Sequence, residues 1–217
     1  MKARMRVQVT TSFSSEYSTD LVLDTSVAIN LACTGMASEI LIALDRKVRI
    51  PARVLSELRS GRVYGYDHAD AIEQLLDMGG FELAPLQDDS LTAFFDLVSG
   101  AATDSLGDGE AATIAIALKT RSVAVIDERK ARKIIRLRHP SLATIMTMDL
   151  LLHREVTQAF PMEKIDKAVI NALQLGRMQV ATRHYEWLAE RLDSRTLESC
   201  PSLKRLNRQA KLTEAQK

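Results

Sequence analysis

The sequence is short of several things, and each shortage removes a class of protein. It has two cysteines, Cys33 and Cys200, far apart in the chain. That is neither a disulfide framework nor a zinc-ligand spacing, and it fits a reducing compartment. Its four histidines, His68, His139, His153 and His184, show no ligand spacing with one another or with cysteine, so they read as structural or surface residues. Aromatic residues make up 5%, which leaves the core to Leu, Ile, Val, Ala and Met. The net charge is +1, so overall charge neither favours nor opposes a polyanionic partner, and local charge has to decide. No apolar run is long enough to span a bilayer. Met1 to Tyr17 carries Lys2, Arg4 and Arg6 but lacks the apolar stretch of a secretory signal. A cytoplasmic location with no membrane partner is the expectation.

What is present is an apolar fraction of 46% over 217 residues, enough for one ordinary domain with a real core and some extension. The organising stretch is LVLDTSVAIN, Leu21 to Asn30. Leu21, Val22 and Leu23 make a short buried-type strand, Asp24 follows at once, and Thr25 opens apolar residues at helical spacing. A strand ending in Asp and running into a helix is the layout of an α/β sheet edge, where ligands bind at the carboxyl ends of parallel strands.

The remaining chain repeats this alternation. A second helix covers Ser38 to Asp45, and Val48 to Ile50 is a strand. Pro51 opens a helix carrying Val54, Leu55 and Leu58, broken by Gly61 and Gly65. Asp67 to Asp77 is an amphipathic helix, Phe81 to Leu86 is extended, and Asp88 to Leu97 is helical with Asp88 or Asp89 as N-cap. Gly107 to Lys119 is a glycine-led, Ala-rich helix suited to close packing on a sheet. Val123 to Ile126 is the clearest strand, ending at Asp127 and Glu128, and Arg129 to Arg138 is a basic helix. Leu142 to Met146 is a strand, with a helix starting over Asp149 to His153. Strands alternating with helices predict a three-layer α/β/α domain with a central parallel sheet. After Thr157 the pattern is helical only, over Pro161 to Leu175 and Arg183 to Leu192. The expected organisation is a flexible lead over 1–19, an α/β domain over 20–157, a helical C-terminal extension over 158–200 and a basic tail over 201–217.

Acids recur at element ends. Asp24 closes the first strand, Glu57 lies on the helix after Pro51, Glu110 opens the GEAAT helix, and Asp127 with Glu128 closes the VAVI strand. Singly, each has a plainer reading: Asp24 and Asp127-Glu128 as helix caps, Glu110 as a first-turn partner of the helix dipole, Glu57 as a solvated charge. In a parallel sheet Asp24 and Asp127-Glu128 project from the same edge, within reach of one ion where their strands are neighbours, while Glu57 is less tightly placed by sequence. Clustered carboxylates repel, and one is pushed towards protonation unless a cation joins them. Mg²⁺ suits such a site, held by one or two carboxylates and substrate phosphate. An acidic cluster without a histidine base fits metal-assisted phosphodiester hydrolysis better than glycoside or peptide hydrolysis.

The order strand–Asp, helix–Glu, GE–helix, strand–Asp resembles that of the PIN-domain ribonucleases. LVLDTSVAINL is similar to the family's opening motif and IPARVLSEL to its second block. GDGEAATIAIAL resembles the GEAEAI-type third block of one PIN branch, VAVIDERKARKIIR the fourth, and ATIMTMDLLL the closing segment. The likeness spans Leu21 to His153, well over half the chain. It implies a Mg²⁺- or Mn²⁺-dependent endoribonuclease acting on single-stranded RNA; many members are toxins of type II toxin–antitoxin pairs, with an antitoxin partner and, by analogy, a homodimer. Carried over, the catalytic acids are Asp24, Glu57, Glu110 and Asp127. The metal ligands are Asp24, Glu110, Asp127 and Glu128, with Glu128 an alternative to Asp127 as fourth acid. Ser26 matches a hydroxyl that helps order the first Asp or a metal-bound water. The chain departs from the branch in having Met146 and Asp149 where glycines are usual, Asp108 as an extra acid beside Glu110, and a long helical extension.

RNA binding needs cations near the acidic edge. Arg129, Lys133 and Arg136 fall on one face of the helix after Asp127, with Lys119 and Arg121 as further candidates and Tyr64 and Tyr66 as stacking partners in a loop. The competing class is a catalytically inactive PIN-like module that binds RNA or a protein. A haloacid-dehalogenase-type phosphatase needs a second Asp where Ser26 stands. A response-regulator receiver wants paired acids ahead of its phosphorylated Asp.

Overall fold

The computed structural model describes residues 20–62, 68–87, 89–101 and 103–203. The expected lead over 1–19, the tyrosines at 64 and 66, Asp88, and the tail beyond 203 lie outside them.

Five strands form one sheet: β1 (Leu21–Leu23), β2 (Val48–Pro51), β3 (Glu82–Ala84), β4 (Val123–Val125) and β5 (Thr144–Ile145). Their order is β3-β2-β1-β4-β5, and every pairing is parallel. The chain builds outwards from β1 to β2 and β3, then returns to lay β4 on the other flank of β1. The topological switch point, where ligands bind in sheets of this kind, therefore falls between β1 and β4. Leu23 pairs with Val125, so the acids that follow the two strands emerge side by side.

Side-chain alternation splits the core into two layers. Leu21, Leu23, Val123 and Val125 enter one cluster, while Val22, Ala124 and Ile126 enter the other. The second cluster lies under α5 (Asp89–Val98), α6 (Asp108–Thr120) and α7 (Arg129–Arg138). Helix α6 fits its alanines to the sheet: Ala111, Ala112, Ala115 and Ala117 are fully buried. The first cluster is covered by α1 (Thr25–Cys33), α2 (Ala37–Leu44), α3 (Ala52–Arg62) and α4 (His68–Asp77). Helix α3 runs through Gly61 to Arg62, so that glycine does not break it as expected; one glycine lowers helix propensity by only about 1 kcal/mol.

The same first cluster also takes in α8 (Thr147–Leu151), α9 (Arg154–Ala159), α10 (Met162–Gln174), α11 (Tyr185–Arg191) and α12 (Ser194–Ser199). Ile165, Val169, Leu173, Leu188 and Leu197 share it with Leu21 and Leu23. The change of pattern near residue 157 is thus a change of element type and not of core. The helical segment is a structural layer of the domain. No single helix among the described residues is long and apolar enough to cross a membrane.

Candidate active site at the carboxyl edge of the sheet

Asp24 sits one residue beyond β1, where its carboxylate caps α1: the Ser26 hydroxyl donates to Oδ2 at 2.8 Å and the Ser26 N–H at 3.4 Å. The helix-cap reading of Asp24 is therefore met. It is 4% exposed. Burial pushes its carboxyl up to about 6, against the opposing pull of Ser26 and the Thr25 N–H, and the Glu57 charge pushes the same way as burial.

Glu110 reaches the same edge from α6. Its Oε2 accepts from the Gly107 N–H at 3.2 Å, the return half of a capping box. Burial, then the charge of Asp24, then that of Glu128, push its carboxyl up to about 7, with the Gly107 N–H and Lys130 opposing. Asp24, Glu110 and Glu128 thus share one electrostatic environment. Glu128 stands at the N-cap position of α7 without using its side chain as a cap, and it is half-buried.

Glu57 is held by its neighbours. The Thr25 hydroxyl donates to Oε2 at 2.5 Å and the Gly109 N–H to Oε1 at 2.8 Å. Its carboxylate therefore ties α3 to the first turns of α1 and α6. This contact requires glycine at 109: a Cβ there would stand 2.5 Å from Glu57 Oε2 and 2.7 Å from Thr25 Oγ1. Thr113 fastens the same turn, its hydroxyl donating to Gly109 O at 2.9 Å and Leu23 O at 3.3 Å.

Asp127 is one residue along from Glu128 and differently placed. It is 1% exposed. Oδ2 accepts from Asn30 Nδ2 at 2.7 Å and from the Thr147 hydroxyl at 2.6 Å, and Oδ1 accepts from the Thr147 N–H at 2.8 Å. Burial pushes this carboxyl up, and Thr147, Asn30 and Arg132 work against that. Three donors from α1 and α8 turn Asp127 inwards and make it a clamp on the end of β4. Asp108 is engaged too, paired with Arg53.

A second buried acid lies next to this clamp. Asp149 accepts from the Met146 N–H at 2.8 Å and Arg183 Nη2 at 2.5 Å, and its Oδ1 meets His184 Nε2 at 2.7 Å. Burial alone would raise its carboxyl; His184, Met146 and Arg183 together hold it below its ordinary value. His184 is buried against Asp149 in a hydrogen bond that joins α8 to the C-terminal helices.

Arg129, Lys133 and Arg136 share one face, and with Arg132, Val180, Ala181, Thr182 and Arg183 they line a cavity of about 530 Å³. Lys119 and Arg121 stand elsewhere: α6 starts at the acidic edge and runs against the strands, which carries its last turn to the opposite end of the sheet. Asn30, Thr147 and Thr25 escaped the sequence reading. Their signal is chemical type at an element end, which only the partner's position makes legible.

Among the described residues no three Asp, Glu, His or Cys side chains converge closely enough to hold a metal by themselves. The charge of Asp24 nevertheless raises Glu110, and that of Glu57 raises Asp24. That donor set fits a hydrated hard cation, which takes one or two carboxylates and keeps several waters, rather than an all-protein cage.

A family model described as a PIN domain, DUF3368, matches residues 20–194. The chain belongs to this PIN-domain family, and the match extends beyond the motifs into α10 and α11. Among solved structures, the chain is similar to one in the crystal structure of VapBC2 from Rickettsia felis bound to a DNA fragment from their promoter. That likeness has 17% identity and a TM-score of 0.44, over 58% of this chain and 98% of that one. No curated protein matches the sequence.

Proposed function

We propose that the protein is a metal-dependent endoribonuclease that hydrolyses phosphodiester bonds of single-stranded RNA at the β1/β4 switch point. The observation that carries this reading is the pair Asp24 and Glu110, both pushed well above the ordinary carboxylate range by burial and shared negative charge. Lys130 opposes the rise at Glu110 without cancelling it, and a basic cavity lies along the next helix. Asp24 and Glu110 would hold Mg²⁺ or Mn²⁺, with Glu128 as the third acid of the edge in place of the inward-turned Asp127. Such an ion supplies charge neutralisation and Lewis acidity for attack on phosphorus.

The chain's own residues divide the remaining work. Ser26 orients Asp24 through Oδ2. Glu110, raised to about 7 in the metal-free site, would take its charged form on meeting a cation there. Glu57 braces the two helix starts and adds charge against Asp24. The reading extends to the toxin half of a toxin–antitoxin pair, in which case production of the wild-type chain arrests growth of a host and Glu110→Gln does not.

The test is cleavage of labelled single-stranded RNA with Mg²⁺, with Mn²⁺ and with EDTA, alongside Asp24→Asn. Metal-dependent cutting that the substitution removes supports the nuclease. A second reading, a non-catalytic PIN-like module, is favoured by the absence of three converging carboxylates among the described residues. It gains if folded wild-type protein cuts none of several RNAs with either metal.

A further inference from the structure

The basic cavity is built from two distant parts of the chain. One wall is the first two turns of α7, with Arg129, Arg132, Lys133 and Arg136 at spacings that place them on one face. The other wall is the segment leading into α11, with Thr182 and Arg183. Arg129, Lys133 and Arg136 are exposed, and among the described residues none of the three is paired with a carboxylate. Arg132 is fixed: its Nη1 donates to Asp127 O and to Ile126 O, the latter at 3.3 Å. Arg183 is fixed by Asp149. Two guanidinium groups are therefore anchored from behind, and three exposed cations stand in front.

Like charges so grouped oppose one another. Arg183 disfavours the charge on Arg132, as burial does more strongly. A multivalent anion relieves this, and guanidinium groups match phosphate oxygens in shape as well as charge. From Arg129 to Arg136 the helix rises about 10 Å at about 1.5 Å per residue, the length of about three stacked nucleotides at about 3.4 Å each. The cavity lining includes Arg129, the residue after Glu128 at the N-cap position of α7, so it continues from the acidic edge. Its lining has only Val180 and Ala181 as apolar residues, too few for a protein anchor.

We infer that this cavity is a phosphate-backbone track for a single-stranded polynucleotide, one wall of which is supplied by the C-terminal helical segment through Thr182 and Arg183. The inference rests on the nuclease reading for the direction of the strand, since the phosphate to be cut lies at the acidic edge and its neighbours lie along the track. The helical segment after residue 157 then serves the substrate site as well as the core.

The experiment separates the two claims by measuring binding without cleavage. Full-length Glu110→Gln is titrated against a short labelled single-stranded RNA in EDTA, by fluorescence anisotropy at several salt concentrations. Lys133→Glu/Arg136→Glu and Arg183→Gln are added in that background, with Arg195→Gln on α12 as a control away from the cavity. The double reversal is expected to weaken binding at least about tenfold and to lower the salt slope by about 1.4, and Arg183→Gln to lower it by about 0.7, at about 0.7 per phosphate contact on a single strand. With Glu110 restored, the double reversal raises KM and leaves kcat in place. If Arg183→Gln melts early for want of its Asp149 partner, the exposed pair at 133 and 136 still decides the matter. Unchanged affinity and slope in the double reversal overturn the track, as does a polyglutamate peptide of equal charge binding as tightly as RNA. Cleavage by wild type with binding untouched by the reversals would leave the nuclease and remove the track. Groove-dependent binding without cleavage by wild type would do the opposite.

Discussion

Asp24 and Asp127 follow adjacent parallel strands, are both buried and are both acids, yet they are solved in opposite ways. Asp127 has three donors on its two oxygens, from Asn30 and Thr147. Asp24 has Ser26 in front and the charges of Glu57 and Glu110 nearby. The first arrangement satisfies a buried carboxylate and fixes the backbone around it. The second leaves a buried carboxylate beside like charges. Position at a strand end is therefore a poor guide to role, and the occupancy of the lone pairs is the better one.

The largest way to sharpen this contrast is to neutralise each acid by its amide. Asp24→Asn should reduce kcat/KM for RNA by at least about a thousandfold. In metal-free protein at pH 7 it should also raise stability, by up to about 3 kcal/mol, since its carboxyl is shifted by about two units at about 1.4 kcal/mol each. Chemical denaturation with EDTA reads the second effect. Asp127→Asn should do the reverse and destabilise by about 2–4 kcal/mol, because an amide N–H₂ would face the donors of Asn30 and Thr147.

Titration gives a smaller contrast. Asp24 and Glu110 have folded pKa values near 6 and 7, above their ordinary values. Between about pH 4 and those values the folded state binds more protons than the unfolded one, so stability falls as pH rises through this window. Thermal melts in EDTA should accordingly show Tm decreasing from about pH 5 to pH 8. Saturating Mg²⁺ should flatten the slope by favouring the charged forms, and an unchanged slope would count against a cation at these acids. Smallest is Gly109→Ala, whose added methyl displaces the Glu57 carboxylate. We expect a loss of about 1–2 kcal/mol in stability, as for other overpacked sites, and a lower cleavage rate with KM little changed.

Much of the fold was legible because its signals are local. LVL before Asp24, VAV before Asp127 and the basic helix after it stand where the sequence places them, and the acids follow the parallel strands in order. What was not legible depends on partners far apart in the chain. Asn30 and Asp127 are separated by 97 residues, and nothing in VAVIDERK tells which of two successive acids turns inwards. The pair Asp149–His184 is likewise joined only by the packing of α8 against the C-terminal helices. The extension reads as helices packed on the domain because its pattern changes to helix alone, and its apolar faces enter the same core cluster as β1.

The most direct test compares two neighbours. Glu128→Gln and Asp127→Asn are each assayed for RNA cleavage and for Tm under identical conditions. The account predicts that Glu128→Gln loses cleavage with Tm unchanged, while Asp127→Asn loses Tm and its folded fraction still cuts. Cleavage at the wild-type rate by Glu128→Gln, with a folded Asp127→Asn that does not cut, would contradict it and return the fourth acid to Asp127.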